Sequence, residues 1–451
     1  KESKDRIRTA IINSEFPIPN AKITINLAPA SLKKEGSLLD LGTAVSLLKA
    51  AGIIIKENLE KYFFVGELLL SGEVKSVSGC LPLVLTAQQN NFEFALVPED
   101  NKYEAGLVKN IKVIPIKNLS QAVEFLNNKL QIESYNNDYF EKPLLQEFEY
   151  NIADIVGQQP AKRGLEIAAA GGHNILLIGP PGTGKTMLAK TLPSILPALT
   201  FEEAFEATRI HSVAGALTNN KNLITTRPFR HPHHTVSSVT LIGGGSNAKP
   251  GEVSLAHNGV LFLDEFPEFK RDAIEGLRQP LEDGIVTVSR IKAIYTYPSK
   301  FILIAAMNRC PCGNLNHPEK QCNCSHYAIE KYLAKLSEPI LDRIDIHIEI
   351  LPVDKRNLLD TTAKQKNETS DQVRKRVQTA RDLQLQRFKN SDGIYCNSKM
   401  TKKQMQTFCQ LTPEQNDMLV NIIEKHNMSV RSYDKIIKLS RTIADLAQSE
   451  Q

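Results

Sequence analysis

The sequence predicts an α/β protein that ends in an all-helical region, and two observations carry this prediction. Short apolar runs of strand length alternate with amphipathic stretches as far as about residue 350, which is typical of layered α/β folds. From residue 371 onward the apolar residues recur with the helical period, as at Val373, Val377 and Ala380. We therefore expect an α/β body that is followed by a helical bundle.

A glycine-rich loop lies between a predicted strand and a predicted helix. Residues 174–178 are strand-like, residues 179–186 fit the pattern G-x-x-x-x-G-K-[ST], and residues 186–190 are helix-like. Such a loop binds phosphates because its backbone N–H groups and the helix N-terminus face the anion. The predicted phosphate-binding residues are Gly179, Pro180, Pro181, Gly182, Thr183, Gly184, Lys185 and Thr186.

A second apolar run, residues 260–263, ends in two adjacent carboxylates. We predict that Lys185 reaches the β- and γ-phosphates of ATP and that Thr186 and Asp264 bind Mg²⁺. Glu265 would polarise the attacking water. A glycine-rich turn alone could be a structural loop, but the two motifs in this order predict ATP and Mg²⁺ as cofactors.

Composition limits the class of protein. The 451 residues suffice for two to four domains, and 41% hydrophobic and 23% charged residues are typical of a globular protein. No apolar run approaches the roughly 20 residues that span a bilayer, so we predict no membrane partner. The odd number of cysteines, with four of the seven clustered, favours a reduced protein, so we predict a cytoplasmic location. The net charge of +5 permits nucleic-acid binding only locally. Because the chain begins with Lys1 rather than Met, we expect residues to precede it.

Composition shifts divide the chain into five segments. We predict an α/β domain at 1–131, a polar linker at 132–149, a nucleotide-binding α/β domain at 150–352, a polar loop at 353–370 and a helical domain at 371–451. In the first domain, strands are predicted at 22–27, 63–70 and 94–98, and helices at 2–12, 38–51 and 81–90.

Three residues beyond the acidic strand distinguish a ring ATPase from an isolated one. Asn308 ends a buried strand and would orient the lytic water, although it could merely cap the strand. Arg343 would reach the γ-phosphate of a neighbouring subunit, although it could form a salt-bridge network with Asp342 and Asp345. Arg431 opens a helix and would contact the γ-phosphate, although it could be a solvated surface residue.

Several motifs resemble the ComM/YifB family of magnesium-chelatase-like AAA+ ATPases, which are bacterial competence proteins. The matching stretches are 227–235, 243–246, 249–257, 310–313, 341–345 and 440–446, and the resemblance covers essentially the whole chain. His231 and Arg309 depart from the family pattern, which usually has a small residue and a proline there. The resemblance implies an AAA+ P-loop ATPase domain with a C-terminal helical lid, in a homo-hexameric ring.

The same resemblance implies a DNA motor. Such rings act on single-stranded and branched double-stranded DNA and drive branch migration during natural transformation, after a recombinase filament has invaded. The stretch 227–249 lies where this clade inserts a pore loop, and residues 286–295 alternate like a hairpin, which could instead be a solvated face. The predicted DNA-binding residues are Arg227, Arg230, Lys249, Arg290 and Lys292. His231, His233 and His234 would also donate to phosphates or, alternatively, bind a metal.

Four of the seven cysteines are clustered, which favours a reduced, metal-binding protein. Two Cys-x-Cys pairs nine residues apart suit a structural Zn²⁺ site. The usual spacing within a pair is two residues, so free thiols remain the alternative, and His317 or His326 could replace one ligand. The predicted ligands are Cys310, Cys312, Cys322 and Cys324.

The N-terminal domain resembles the peptidase domain of Lon-type proteases, a ribosomal S5 domain 2-like fold, through residues 33–42, 66–68 and 79–82. A working peptidase needs a Ser nucleophile and a Lys base. There is no Ser beside Asp40, Ser37 is three positions away, and Leu81 is apolar where the Lys should be. We expect a peptidase-dead domain that serves ring assembly or DNA contact. The competing functions are a protein-remodelling motor and a metal-chelatase motor subunit.

Overall fold

The fold was obtained as a computed structural model, which describes residues 2–18, 22–26, 37–136, 148–217, 223–245, 248–290, 293–352, 367–391, 393–426 and 428–449. The chain divides into two compact units. The first comprises residues 1–144 and 208–224, and the second comprises residues 145–207 and 225–451. Much of the predicted linker and polar loop, Lys292 and the last two residues lie outside the described ranges.

The first unit is a small α/β fold. Its helices and strands are α1 (Glu2–Asn13), α2 (Asp40–Ala50), β1 (Tyr62–Phe64), β2 (Glu67–Leu68), β3 (Val74–Lys75), α3 (Cys80–Gln89), β4 (Phe94–Pro98), α4 (Lys102–Ala105), β5 (Lys112–Ile116) and α5 (Leu119–Leu126). Strands β1, β4 and β5 form a parallel sheet in that order. The apolar faces of α1, α2 and α5 pack on this sheet, which gives the unit its own core.

The second unit begins with the nucleotide motifs. Its helices and strands as far as residue 263 are α6 (Gln159–Gly171), β6 (Ile175–Ile178), α7 (Lys185–Ile195), α8 (Phe201–Ala214), β7 (Phe229–Arg230), α9 (Ser238–Ile242), β8 (Gly243–Gly244), β9 (Lys249–Pro250), α10 (Glu252–Leu255) and β10 (Val260–Leu263). The boundary between the two units falls inside helix α8: its residues up to Ala207 belong to the second unit, and its residues from Thr208 onward belong to the first.

The same unit continues to the end of the described chain. The remaining elements are α11 (Arg271–Gly276), α12 (Arg278–Asp283), β11 (Ile285–Arg290), β12 (Ala293–Pro298), β13 (Ile302–Met307), α13 (His326–Leu333), α14 (Glu338–Leu341), β14 (Ile346–Glu349), α15 (Ser370–Arg387), α16 (Lys402–Phe408), α17 (Pro413–Lys425) and α18 (Val430–Leu446).

A parallel five-stranded sheet organises this unit. Its strand order is β14-β6-β13-β10-β7. Along the fully buried strands, successive side chains enter opposite cores: Ile304 joins one and Ala305 the other. This alternation explains why strands that are apolar at every position still have a period of two. The ends of β6, β10 and β13 therefore meet at one edge of the sheet.

Helices cover both faces of the sheet and dominate the C-terminal region. Val373, Val377 and Ala380 of α15 join the core that also contains Leu165 of α6. Helices α15, α16 and α17 each begin with a capping box, so the sequence defines where they start. The predicted fold class, an α/β body with a helical C-terminal region, is confirmed.

Two strand predictions in the first unit were wrong. Residues 22–26 pair with no strand in the described part of the chain, and a strand needs a partner for its backbone groups. The predicted strand 63–70 is split into β1, which pairs with β4, and β2, which pairs with β3. Within the described ranges, no helix is long and apolar enough to cross a bilayer.

Candidate functional site

The loop between β6 and α7 is shaped as a cradle. Gly182 and Gly184 have φ angles of +78° and +87°, and a Cβ built on either would meet nothing within 4 Å. Left-handed backbone favours glycine here, and the open space leaves room for a ligand. Gly179 is confined instead, since a Cβ there would lie 2.3 Å from the carbonyl oxygen of Ile350. The loop therefore opens on one side and packs tightly on the other.

Lys185 lies at the base of this cradle. Its Nζ donates to the carbonyl oxygens of Gly179 and Pro180, both at 2.7 Å, and to Oδ1 of Asn308 at 3.1 Å. Burial lowers the pKa of the Lys185 ammonium below its ordinary value, and the carboxylate of Asp264 counteracts part of that shift. The three bonds hold the cation beneath the open glycines, where phosphate oxygens would be its partners.

Oxygen ligands meet at the edge of the sheet. Strand β10 is buried along its whole length and places Asp264 beside the first turn of α7. The hydroxyl of Thr186 donates to Oδ2 of Asp264 over 2.7 Å. A hydroxyl and a carboxylate so close together are the hard oxygen ligands that Mg²⁺ takes beside substrate phosphates. The predicted pair is thus brought together, and it fits the ion.

Glu265 has a partner that sequence reasoning missed. Its backbone is in the left-handed region at φ 52°, and its Oε2 lies 3.0 Å from Nδ1 of His234. The Glu265 side chain stays more than half exposed. Only the tertiary path brings residue 234 back to residue 265. His234 therefore contacts the predicted catalytic carboxylate, not an exposed phosphate site.

Asn308 ends strand β13, which lies between β6 and β10 as predicted for ring ATPases. Its Oδ1 accepts the bond from Lys185, so it belongs to the phosphate site by contact. The backbone N–H of Gly179 also bonds to Met307, which ties the two strand ends together. Asn308 is consequently more than a strand cap, and its action on water remains a prediction.

The two arginines predicted to contact a γ-phosphate, Arg343 and Arg431, share one carboxylate. Arg343 pairs with Glu282, and Arg431 lies 3.1 Å from the other oxygen of Glu282. The hydrogen bond from Arg343 lowers the pKa of Glu282. The alternative network with Asp342 and Asp345 is not formed, because the Arg343 guanidinium bonds to Glu282 and to the carbonyl oxygen of Pro339. Sequence spacing gave no signal for Glu282.

Arg227 corrects the predicted DNA surface. Its side chain is 9% exposed and forms an ion pair with Glu203 at 2.9 Å. The same guanidinium also donates to the carbonyl oxygens of Pro197, Ala198 and Asn258. Burial alone would raise the pKa of Glu203, but Arg227 outweighs it and the pKa lies below its ordinary value. Arg227 is a buried structural residue with no donor left for DNA.

The neighbouring basic residues differ from one another. Arg230 forms a two-point pair with Glu252, with N–O distances of 2.6 and 2.9 Å, so DNA would have to compete for it. Lys249, on β9, is exposed. Of the predicted loop residues, Lys249 is therefore the one whose surroundings suit a phosphate contact best.

The histidines of this stretch do not form a metal site. The ring of His231 lies 4.6 Å from that of Phe262, and His233 lies against His234. Within the ranges that the structure describes, the four cysteines are the one group of His, Cys, Asp and Glu side chains close enough for an ion. The metal alternative for the histidines was wrong.

Strands β11 and β12 form the predicted antiparallel hairpin, with Arg290 opposite Ala293. Beyond the turn, Ile294 and Tyr295 are 69% and 47% exposed. An exposed aromatic side chain such as Tyr295 suits stacking on nucleic-acid bases. Lys292 lies outside the described residues, and Tyr295 is a candidate that the charge pattern did not reveal.

The four cysteines meet as predicted. The Sγ of Cys310 lies 3.5 Å from that of Cys312 and 3.7 Å from that of Cys322. The sulfurs of Cys312 and Cys322 are 3.6 Å apart. With Cys324 included, all four sulfurs lie within 4.8 Å of one another. A backbone hydrogen bond from Asn314 lowers the pKa of Cys312 to about 6, which favours a thiolate. His317 and His326 are not in this group.

The position of the missing peptidase site is filled by structural contacts. Asp40 is buried, and its carboxylate accepts from the hydroxyl of Ser3 at 2.8 Å and from Arg6 at 2.7 Å. Leu81 is also buried, and its N–H donates to Glu104. Burial raises the pKa of Glu104. The absence of peptidase chemistry remains a prediction that these contacts favour.

Three family profiles match the chain in order. The profile "Subunit ChlI of Mg-chelatase" matches residues 1–101, "Magnesium chelatase, subunit ChlI" matches 151–358, and "Magnesium chelatase, subunit ChlI C-terminal" matches 367–451. A weaker similarity extends to the DNA replication licensing factor mcm2 of Xenopus tropicalis, 24% identical over 206 residues, which cover 43% of this chain and 20% of that protein.

Two full-length similarities decide the family. Competence protein ComM of Haemophilus influenzae is 41% identical over 459 residues, which cover all of this chain and 87% of that protein. YifB of Escherichia coli is 41% identical over 451 residues, which cover all of this chain and 86% of that protein. The chain therefore belongs to the ComM/YifB family of magnesium-chelatase-like AAA+ proteins.

Proposed function

We propose that this protein is an ATP-driven DNA motor, a homo-hexameric helicase that promotes branch migration of recombination intermediates during natural transformation. The observation that carries the ATPase part of the proposal is the meeting of Lys185, Thr186, Asp264, Glu265 and Asn308 at one edge of the sheet. The exposed side chains of Lys249 and Tyr295 favour DNA as the partner of the motor. The competence protein of Haemophilus influenzae supplies the biological context. A link to recombinase filaments and a cytoplasmic location are parts of the same proposal.

The residues divide the work of ATP hydrolysis. Lys185 would bind the β- and γ-phosphates, and Thr186 and Asp264 would hold Mg²⁺, which neutralises phosphate charge when bound. Glu265 would accept a proton from the attacking water, since its carboxylate is exposed and follows Asp264 directly in the chain. Asn308 would orient that water. The fixed strand ends preorganise all of these groups before ATP arrives.

His234 gives this site a connection to the proposed DNA surface. It belongs to the stretch 227–249 and contacts Glu265 over 3.0 Å. Movement of that stretch on DNA binding would therefore change the position or the charge environment of Glu265. This contact provides a physical route by which DNA would stimulate hydrolysis, because a carboxylate released from His234 is freer to accept a proton.

A ring is supported by the placement of two arginines. Arg343 and Arg431 both bond to Glu282, and within the described residues neither forms a hydrogen bond or ion pair with Lys185, Thr186 or Asp264. An arginine that acts on a neighbour's nucleotide needs a head-to-tail contact, and repetition of such a contact closes a ring. We propose that Arg343 acts in this way and that Arg431 couples the helical region to hydrolysis.

DNA contact would be independent of sequence. Arg290 is the last residue of β11, Tyr295 is exposed on β12, and Lys249 is exposed on β9. Basic side chains bind the phosphate backbone and aromatic rings stack on any base, so affinity should fall steeply with salt. The similarity to an mcm2 replication licensing factor points to the same class of ligand.

ATP hydrolysis with and without DNA tests the proposal. We expect single-stranded and forked DNA to stimulate phosphate release by the full chain. Lys185→Ala should abolish phosphate release both with and without DNA. Lys375→Ala, which changes an exposed lysine of α15, is the control and should leave the rate unchanged. A four-way-junction assay would then measure branch migration.

Hydrolysis that ignores DNA would overturn the proposal. A metal-chelatase-type motor, for which the family profiles are named, or a protein-remodelling motor would then be the better hypothesis. In either case the loss caused by Lys185→Ala would persist, because the phosphate site is common to all three motors. The DNA dependence therefore separates the functions, and the lysine variant only validates the assay.

A further inference from the structure

We propose that the four cysteines bind one Zn²⁺ ion and that this ion braces the phosphate loop, so that nucleotide affinity depends on the metal. The inference rests on the proposed nucleotide site and adds a second, structural site beside it. It concerns the cysteine loop, residues 310–324, which starts two residues after Asn308.

The sulfur positions fit a single tetrahedral ion. Zinc–sulfur bonds of about 2.3 Å place the sulfurs of a tetrahedron about 3.8 Å apart. The three distances among Cys310, Cys312 and Cys322 are 3.5, 3.7 and 3.6 Å. An iron–sulfur cluster would hold its cysteines farther apart, because several iron atoms would separate them. Four protein ligands leave no position for water, so the ion would be structural.

The cysteine loop needs such an ion because little else holds it. Between Cys310 and Ser325 there is no helix or strand, and most of its side chains are exposed or half-buried. Loops of this length without structure of their own are uncommon in compact domains. A structural metal supplies the folding free energy that a missing core cannot. A disulfide would join only two of the four sulfurs.

The loop contacts the phosphate loop directly. Gly313 has a φ of +77°, and a Cβ built on it would lie 2.5 Å from Cδ of Pro181 and 3.6 Å from Nδ2 of Asn308. Glycine is thus required by backbone conformation and by close approach at once. Its N–H bonds to the carbonyl oxygen of Cys310, so the ligand and the contact residue form one turn.

The loop also supports the phosphate site from the strand side. Cys310 is fully buried and follows Asn308, whose amide oxygen accepts the bond from Lys185. An ion bound to Cys310 and Cys312 therefore fixes the positions of both Asn308 and Pro181. The cysteines touch no reacting atom. They are positioning residues, and loss of the ion should weaken nucleotide binding through the phosphate loop.

Metal content and nucleotide affinity of the full chain test this inference together. Purified without chelator, the wild-type protein should contain about one zinc per chain. Cys322→Ser/Cys324→Ser should lose the zinc and bind a fluorescent ATP analogue with Mg²⁺ about tenfold more weakly. Cys409→Ser, a half-buried cysteine outside the cluster, is the control and should change neither quantity.

A second variant keeps all four cysteines and disturbs the contact with Pro181. Gly313→Ala should retain zinc and lose about tenfold in nucleotide affinity, because its Cβ would displace Pro181. Gly393→Ala is matched in backbone, with φ +71°, and meets only the flexible end of Lys300, so its affinity should stay near that of the wild type.

Three results would overturn the inference. Wild-type protein without zinc would remove the site. Unchanged nucleotide affinity in both the zinc-free double variant and Gly313→Ala would remove the brace and leave the proposed function intact. Wild-type protein that binds zinc but no nucleotide would overturn the proposed function and the coupling together.

Discussion

The phosphate site and the predicted DNA surface, both in the second unit, turned out differently. The residues predicted around the phosphate loop lie at one edge of the sheet, where Lys185 contacts Asn308 and Thr186 contacts Asp264. On the predicted DNA surface, by contrast, Arg227 is buried with structural partners. The contacts of residues at strand ends were therefore easier to predict than the contacts of residues in loops.

The reason is topological. Parallel strands end at the same edge of a sheet, so polar residues that follow them must converge. A basic residue in a loop has no such constraint, and it can form an ion pair with a carboxylate far along the chain. Arg227 pairs with Glu203, 24 positions away, and Arg230 pairs with Glu252, 22 positions away. Counting positive charges in a stretch therefore overestimates the charge that is free to bind phosphate.

Removing the catalytic carboxylate should have the largest effect. We expect Glu265→Gln to lower ATP hydrolysis by roughly 10²–10⁴-fold, because the attacking water loses its base, while ATP affinity stays within about twofold. Phosphate release and nucleotide binding, measured separately, check this. Glu268→Gln changes a nearby exposed glutamate paired with Lys335 and should preserve the rate. A similar rate in both variants would place the base elsewhere.

Breaking the buried pair should affect stability and leave DNA binding alone. Arg227→Ala strands the carboxylate of Glu203 and should lower the free energy of unfolding by about 3 kcal/mol. Denaturant unfolding measures this, and DNA affinity of the folded protein should be unchanged. Arg271→Ala, an exposed arginine of the same unit, is the control. A DNA defect without a loss of stability would restore the original prediction.

The same pair should respond to acid. Because the pKa of Glu203 is lowered in the folded state, the pair stabilises the fold fully above the unfolded pKa of about 4.3 and less as pH falls through the folded value. The stability difference between wild type and Arg227→Ala should therefore shrink below about pH 4. A difference that stays constant with pH would mean that Glu203 is not the group involved.

Reversing charge at the hairpin should lower DNA affinity moderately. Arg290→Glu/Lys292→Glu should weaken binding of single-stranded DNA by at least about tenfold and reduce the salt slope by about one to two, since up to two phosphate contacts are lost. Lys402→Glu/Lys403→Glu makes the same charge change at exposed positions of α16 and is the control. Equal losses in both variants would indicate only the net charge.

Arg230→Ala should have the smallest effect on DNA. The guanidinium is already bonded at two points to Glu252, so it is not free to bind a DNA phosphate. Loss of this partly exposed ion pair should lower the free energy of unfolding by at most about 1 kcal/mol, so the fold should persist. We expect DNA affinity to change by less than about twofold in fluorescence anisotropy. A loss as large as that of the hairpin variant would show that DNA displaces Glu252.

Sequence predicted the sheet, the helical region, the hairpin and the cysteine cluster, because each is encoded by local period or spacing. It failed where pairing is not local. Residues 22–26 have strand-like alternation but no partner strand in the described chain, and the contacts of His234 with Glu265 and of Arg343 with Glu282 join distant segments. Such partners are set by the tertiary path, which no short motif contains.

The carboxylate of Glu282 leaves an electrical imbalance. It faces two guanidinium groups, Arg343 and Arg431, so one positive charge at that point has no counterion among the three side chains. A multiply charged phosphate on the nucleotide of an adjoining subunit would supply the missing negative charge. As that phosphate approached, it would repel the carboxylate of Glu282 and replace it as the partner of the two arginines. We therefore expect assembly to proceed as an exchange of anions, which makes subunit affinity sensitive to competing salts such as inorganic phosphate.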